Sequence, residues 1–153
     1  MNNQLTPFEG EKIRKTWYNE EWYFVIEDII FSLTASSNPK GYIRDMRRRD
    51  PILSQGWGQI AHTLAVQTTG GKQRMNCANT EGVFRLLMSV PSPKAEPLKL
   101  WLASLGKQAI DEAENPELLS ERQTALYKAK GYSDEWIKRR MQTLASKRLS
   151  FFK

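Results

Sequence analysis

The sequence predicts an α+β fold in which short antiparallel strands come first and helices accumulate toward the C-terminus. Two hairpin patterns lie in the first half of the chain, and apolar residues spaced three or four apart recur in the second half. Pro or Gly lies at the boundaries between the predicted elements. The 153 residues are enough for one domain with a sizeable core. We predict a core module over residues 1–114 and a helical extension over residues 115–153, packed on the same core, with the boundary at Asn115-Pro116.

The first hairpin is predicted from two aromatic runs that flank a turn at Asn19-Glu20. The alternation indicates one buried face, formed by Phe8, Ile13, Trp17, Trp22, Phe24 and Ile26. A helix follows over residues 27–33, where two acidic residues suit the first turn.

A second helix is predicted over residues 39–49, because Asn38-Pro39 is a cap with Pro at the first helical position. Residues 62–67 then alternate like a strand. The pair Gly70-Gly71 is typical of the two central residues of a type I′ turn, and a return strand through residues 75–78 completes the second hairpin.

Four helices are predicted in the rest of the chain. Asn79 or Thr80 begins one helix, and another starts near Lys94. Asn115-Pro116 begins a third, which Gly131 ends. Ser133 caps the last helix, whose apolar residues are Trp136, Ile137, Met141, Leu144 and Leu149.

Composition excludes several classes of protein and of site. A single Cys excludes an internal disulfide, and with a single His it excludes a Cys/His zinc site within the chain. Neither a secretory signal nor an apolar run of about 18 residues is present, so we expect a soluble intracellular protein with no membrane contact. His62 and Cys77 lie in strand patterns and are interpreted as structural residues. We predict no catalytic residues, no metal and no cofactor.

The basic charge is concentrated in two stretches. The net charge is +6 with a pI near 9.5, and residues 41–110 and 136–153 each carry +6, offset by acidic segments. Clustered basic charge favours a polyanion partner, most often nucleic acid.

The helix at residues 39–49 carries the most informative part of this charge. A short helix, a turn and a second helix with one basic face is typical of helix-turn-helix-like geometry, although an ordinary solvated face explains the spacing equally well. Arg pairs bidentately with phosphate or with a guanine edge. With the second hairpin tip, the predicted nucleic-acid-binding residues are Lys40, Arg44, Arg47, Arg48, Arg49, Lys72 and Arg74. A secondary basic surface is predicted at Lys138, Arg139 and Arg140.

Several segments, in order, resemble the Bro-N domain of baculoviral Bro proteins and of phage and prophage antirepressors. The resemblance is carried by Phe8-Glu9-Gly10-x-x-Ile13-Arg14, Glu21-Trp22-Tyr23-Phe24-Val25-Ile26-x-Asp28-Ile29, Asn38-Pro39-x-x-Tyr42-Ile43-Arg44, Thr69-Gly70-Gly71, Asn79-Thr80-Glu81-Gly82-Val83-Phe84-Arg85-Leu86-Leu87 and Ala95-x-x-Leu98-Lys99-x-Trp101-Leu102. The last of these has Leu98 where the family usually has Phe. Farther on, Tyr127-x-x-Lys130-Gly131-Tyr132-Ser133-x-Glu135-Trp136-Ile137 is similar to the extension of bacterial relatives of DNA-damage-inducible protein D, in which we expect the last helix to lead into further sequence.

The resemblance implies DNA binding and, in phage, relief of repression. Our first hypothesis is therefore a DNA-binding regulatory module of the antirepressor type that binds duplex DNA in the bacterial cytoplasm and nucleoid. The alternative is a protein-interaction module that binds a repressor or a recombination or DNA-repair protein without contacting DNA. We also predict a homodimer through residues 133–150, because the apolar stripe of the last helix needs a partner.

Overall fold

The computed structural model describes Phe8 and residues 12–151, with the backbone alone for residues 148–151. The fold is α+β, as predicted. The strands are β1 (Lys15–Tyr18), β2 (Glu21–Val25), β3 (His62–Thr68) and β4 (Gly71–Ala78). The α-helices are α1 (Ile26–Thr34), α2 (Pro39–Arg49), α3 (Pro51–Gln55), α4 (Trp57–Ile60), α5 (Thr80–Ser89), α6 (Glu96–Glu114), α7 (Leu118–Ala129) and α8 (Asp134–Phe151), with a 3₁₀ turn at Pro93–Ala95. Glu9 and Gly10 of the opening motif lie outside the described residues.

The four strands form one antiparallel sheet in the order β1-β2-β4-β3. The predicted turn between β1 and β2 is confirmed: Asn19 and Glu20 both adopt positive φ, at 51° and 66°. Two left-handed residues in a two-residue loop are what a type I′ hairpin requires. This turn pairs Trp17 directly with Trp22.

The strands of the first hairpin bury the face opposite to the predicted one, although Ile26 of the predicted set is fully buried as the first residue of α1. Tyr23 and Val25 are buried, whereas Trp17 and Trp22 are 58% and 42% exposed. All of residues 22–25 are apolar or aromatic, so the alternation did not determine which set faces inward. The choice is made by tertiary packing, because Tyr23 and Val25 join the core cluster of Val66 and Cys77.

The turn of the second hairpin also differs from the prediction by one residue. Thr68 pairs with Gly71, so the loop residues are Thr69 and Gly70 rather than Gly70 and Gly71. Gly71 has a φ of +97°, and Gly70 is not left-handed. A single left-handed Gly after the turn is typical of a hairpin with a bulge rather than of type I′.

The predicted bounds of α2 are confirmed at Pro39 and Arg49. The Asn38 side chain accepts a hydrogen bond from the Gly41 N–H at 3.2 Å and so caps the helix. α1 and α2 pack against each other as a helix pair. The two short helices α3 and α4 follow, in a segment for which the sequence analysis predicts neither a helix nor a strand.

The chain divides into two compact units, and the division falls inside α6. The first unit spans Gly10–Trp101, and the second takes in the chain from Leu102 onward. In the first unit, Trp101 lies 6.0 Å from the Phe84 ring of α5, which accounts for the Trp of the 95–102 motif. The predicted domain boundary at 114/115 stays a prediction.

The helices of the second unit are the rest of α6, α7 and α8. Gly131 ends α7 with a φ of +91°, and the Ser133 hydroxyl caps α8 by accepting from the Trp136 N–H at 3.2 Å, as predicted. α7 itself begins at Leu118, two residues later than Pro116, because the Asn115 carbonyl first accepts from the Leu118 N–H in a separate turn. Across the described residues, no helix has the length and apolar character needed to cross a membrane.

Candidate nucleic-acid interface

Four of the predicted basic residues line one depression beside α2, which we call the α2 groove. Its volume is about 340 Å³. Lys40, Arg44, Arg47 and Arg48 approach from α2, and α3, α4, α1 and β4 supply the other walls. The lining residues are Ile26, Glu27, Lys40, Ile43, Arg44, Arg47, Arg48, Ser54, Trp57 and Asn76.

The groove is strongly positive. Its lining carries four cations against the single carboxylate of Glu27, which lies 3.9 Å from the Lys40 ammonium. Lys40 is 82% exposed, so this contact holds it weakly. Arg48 pairs with Asp45 on its own helix at 2.8 Å, and Arg44 is exposed. These side chains sit where an anion can reach them.

Arg47 differs from the other cations because it is partly buried. Its guanidinium carbon lies 4.6 Å from the centre of the Trp57 ring, which is within the range of a cation–π contact. The Arg47 Nε is shielded from solvent, and among the described residues no group accepts a hydrogen bond from it. A shielded donor without an acceptor is unfavourable.

A polar clamp holds the end of α2 in place. The Asp50 carboxylate accepts from the Leu53 N–H at 3.0 Å and from the Ser89 hydroxyl at 2.7 Å. Arg85 of α5 donates to the same hydroxyl at 2.7 Å. The hydrogen bond from the Leu53 backbone, followed by that from Ser89, lowers the pKa of Asp50. The clamp therefore ties the α2–α3 junction to α5 and fixes one side of the groove.

The predicted residues of the second hairpin lie on the same sheet face as the groove wall. Lys72, Arg74 and Asn76 alternate along β4, so their side chains share one face. Asn76 lines the groove, and Lys72 follows roughly 13 Å farther along the strand at about 3.3 Å per residue. The Arg74 side chain donates to the Thr63 carbonyl at 3.1 Å. Arg49 is exposed at the end of α2 and does not line the groove.

The secondary basic surface lies on α8 in the second unit. Lys138, Arg139 and Arg140 are all exposed. Arg140 donates a hydrogen bond to the Tyr127 hydroxyl, which, with a weaker contribution from Gln123, lowers the pKa of that tyrosine. Tyr127 also packs edge-on against Trp136, and Tyr132 stacks on Trp136 at 4.1 Å. Arg140 therefore has a structural role in joining α7 to α8.

His62 and Cys77 take the structural roles that the sequence indicates. Tyr23 packs edge-on against the His62 ring at 5.3 Å, and the His62 Nε2 lies 3.3 Å from the Gln59 carbonyl oxygen. Cys77 is fully buried, and burial raises its thiol pKa to about 11. Both side chains therefore contribute to packing of the first unit.

Sequence reasoning missed Trp57, Ser54 and Asn76 as members of the site. Trp57 stands between two glycines, and a large aromatic residue in such a segment is the one local sign that it has a specific position. Asn76 gives no local sign, because its place in the groove depends on the pairing of β4 with β3 and β2.

The comparisons with known proteins agree with the resemblance seen in the sequence. A family model described as "BRO family, N-terminal domain" matches residues 12–108, which is more than half of the chain. No curated protein and no solved structure matches the chain. The match includes all of α2, the second hairpin and the α2 groove, and it ends before α7. The chain thus belongs to the BRO family through its N-terminal domain, a regulatory module of the antirepressor type.

Proposed function

We propose that this Bro-N module binds duplex DNA through the α2 groove and the adjoining face of β4. The observation that supports it is the grouping of Lys40, Arg44, Arg47 and Arg48 in one depression of the family domain. Four side chains of one sign in a concave site concentrate a positive potential, which attracts a polyanion. Lys72 and Arg74 extend the positive surface along the sheet.

Binding by this surface depends mainly on phosphate contacts. Arg44 and Arg48 are exposed and can donate paired hydrogen bonds to phosphate oxygens, while Arg47 is held in place by Trp57. Phosphate contacts fix the position of a protein on DNA, and base contacts provide the sequence preference. The proposed regulatory activity is relief of repression by a protein positioned on DNA in this way.

The test is a binding titration on a labelled duplex of about 25 base pairs with the Arg44→Ala/Arg47→Ala/Arg48→Ala variant. We expect affinity to fall at least about tenfold, because three charge-assisted contacts are lost. The matched control is Lys94→Ala/Lys107→Ala/Lys147→Ala, which removes the same charge from exposed positions outside the groove. Equal affinities for the two variants, both folded by circular dichroism, would remove the α2 groove from the proposal.

The second unit supports a second candidate function, contact with another protein. Ile110, Leu119 and Leu126 are 62%, 45% and 44% exposed, and the apolar stripe of α8 is buried at Ile137 but only half-buried at Met141 and Leu144. A repressor, a DNA-repair protein or a second copy through residues 133–150 would cover such side chains. Light scattering on the pure protein tests the homodimer. A dimeric mass at tens of micromolar supports it, and a monomeric mass removes it.

A further inference from the structure

The basic residues of α2 line a hollow, whereas a helix that reads duplex DNA presents a ridge. A recognition helix enters the major groove with its outward side chains against base edges. Here Arg44, Arg47 and Arg48 share their depression with the indole of Trp57, so the helix does not stand alone above the surface. Contact with duplex phosphates also has no need of an aromatic wall. The shape of the α2 groove therefore favours a ligand that enters the groove.

The lining combines flat, apolar and hydrogen-bonding surfaces in one small volume. Ile26 and Ile43 are apolar, and Trp57 presents an aromatic ring. Asn76 has its Oδ1 engaged by the Thr63 hydroxyl at 2.9 Å, which leaves the amide nitrogen as the group that can donate to a ligand. A nucleobase has matching features, because its faces are aromatic and its edge carries acceptors.

The Arg47–Trp57 pair adds a preformed stacking surface. Bases that leave the duplex stack on aromatic rings or on guanidinium planes, and this pair offers both. Arg47 and Trp57 both line the groove, so the stacked pair is part of its wall. Arg44 and Arg48 at the rim are exposed and can hold the phosphates on either side.

We infer that the α2 groove holds one unpaired nucleotide, with its base against Trp57 and Asn76 and its phosphates on Arg44 and Arg48. The volume of about 340 Å³ suits a single ligand of this size rather than a longer strand. The inference rests on the proposed function and narrows it: the preferred substrate is a duplex that contains an unpaired base. Such a base is the least costly to extrude, because its pairing is already lost.

The experiment compares two labelled duplexes of about 25 base pairs that differ only by one unpaired thymine. We expect the protein to bind the bulged duplex about tenfold more tightly, as one added stacking contact allows. Trp57→Ala removes the preference, and Trp57→Phe, which keeps an aromatic ring, retains part of it. Trp17→Ala is the matched control, because Trp17 is an exposed tryptophan on β1 that does not line the groove, and we expect it to keep the full preference.

A second variant keeps the test valid if Trp57→Ala fails to fold. Asn76→Asp retains an oxygen for the Thr63 hydroxyl and places a negative charge in the groove, so we expect it to abolish the preference. Equal affinity of the wild-type protein for the two duplexes, with both lost in the triple Arg variant, overturns the inference and leaves the proposed function standing. A preference that survives Trp57→Ala and Asn76→Asp also overturns it. Failure to bind either duplex overturns the inference and the proposed function together.

Discussion

The two compact units differ sharply in how much apolar surface they bury. Among the residues that the structure describes, all but one of the buried apolar side chains lie between Gly10 and Trp101. The exception is Ile137 of α8. The charged residue Glu112 is also buried, at 8% exposure, and its carboxylate contacts the Arg122 side chain at 2.5 and 3.0 Å.

This difference shows that a segment can form helices without forming a core of its own. α6, α7 and α8 contain 19, 12 and 18 residues, and two of their ends are specified locally by Gly131 and Ser133. Helix ends need only local signals, but stability depends on burying an apolar face. The first unit has a core of its own, whereas the second has amphipathic helices whose stripes stay half-covered.

The largest expected effect comes from truncating a leucine in the core of the first unit, compared with the same change in the second unit. Leu86→Ala empties a fully buried position on α5 and should lower the free energy of unfolding by about 2–5 kcal/mol. Leu144→Ala on α8 removes a half-buried side chain and should lower it by less than about 1 kcal/mol. Urea denaturation followed by circular dichroism measures both values. Similar losses at the two positions would show that the second unit has a core comparable with the first.

Substitutions at the ends of α1 and α7 are expected to change stability by smaller amounts and in opposite directions. Ala35 ends α1 with a φ of 57°, where a side chain is strained, so Ala35→Gly should stabilise the protein by roughly 1 kcal/mol. Gly131 ends α7 with a φ of +91° and has open space around it, so Gly131→Ala should destabilise α7 by about 1 kcal/mol through the backbone alone. Thermal unfolding measures the change. A lower melting temperature for Ala35→Gly would contradict the backbone assignment.

The smallest expected effect is an acid-labile contribution confined to the first unit. The pKa of Asp50 is lowered by its hydrogen bonds from Leu53 and Ser89, so its stabilisation is present above the unfolded value of about 3.9. It is lost as the pH falls through the folded pKa, where the carboxyl group takes up a proton. Unfolding of wild type and Asp50→Asn from pH 7 to pH 2.5 should give a stability difference that is constant near neutrality and shrinks below about pH 4. A difference independent of pH would exclude the clamp as its source.

The sequence predicts local features well where single residues determine them. Pro39 with Asn38 defines the start of α2, and Asn19-Glu20 marks the first turn. The buried face of β2 could not be predicted, because Trp22, Tyr23, Phe24 and Val25 make both faces apolar.

The candidate site was predictable only in the part that local sequence determines. The cations of α2 follow from helical spacing, so Arg44, Arg47 and Arg48 were found on one side of the helix. Trp57 joins them only because α3 and α4 return the chain to α2, and Asn76 only because of strand pairing. Asn76 has no local signal for this position, and the only local sign at Trp57 is its place between two glycines. Sequence patterns therefore predicted the charge of the site and missed its shape.

The salt dependence of duplex binding tests the central claim most directly. For about five phosphate contacts, log K should fall against log salt with a slope near −4 to −5. Arg44→Ala/Arg48→Ala in the first unit should make this slope shallower by about 2, whereas Lys138→Ala/Arg139→Ala in the second unit should change it by less than about 1. Equal slopes for the two variants, or a shallower slope for the α8 variant alone, would contradict the assignment of DNA binding to the α2 groove.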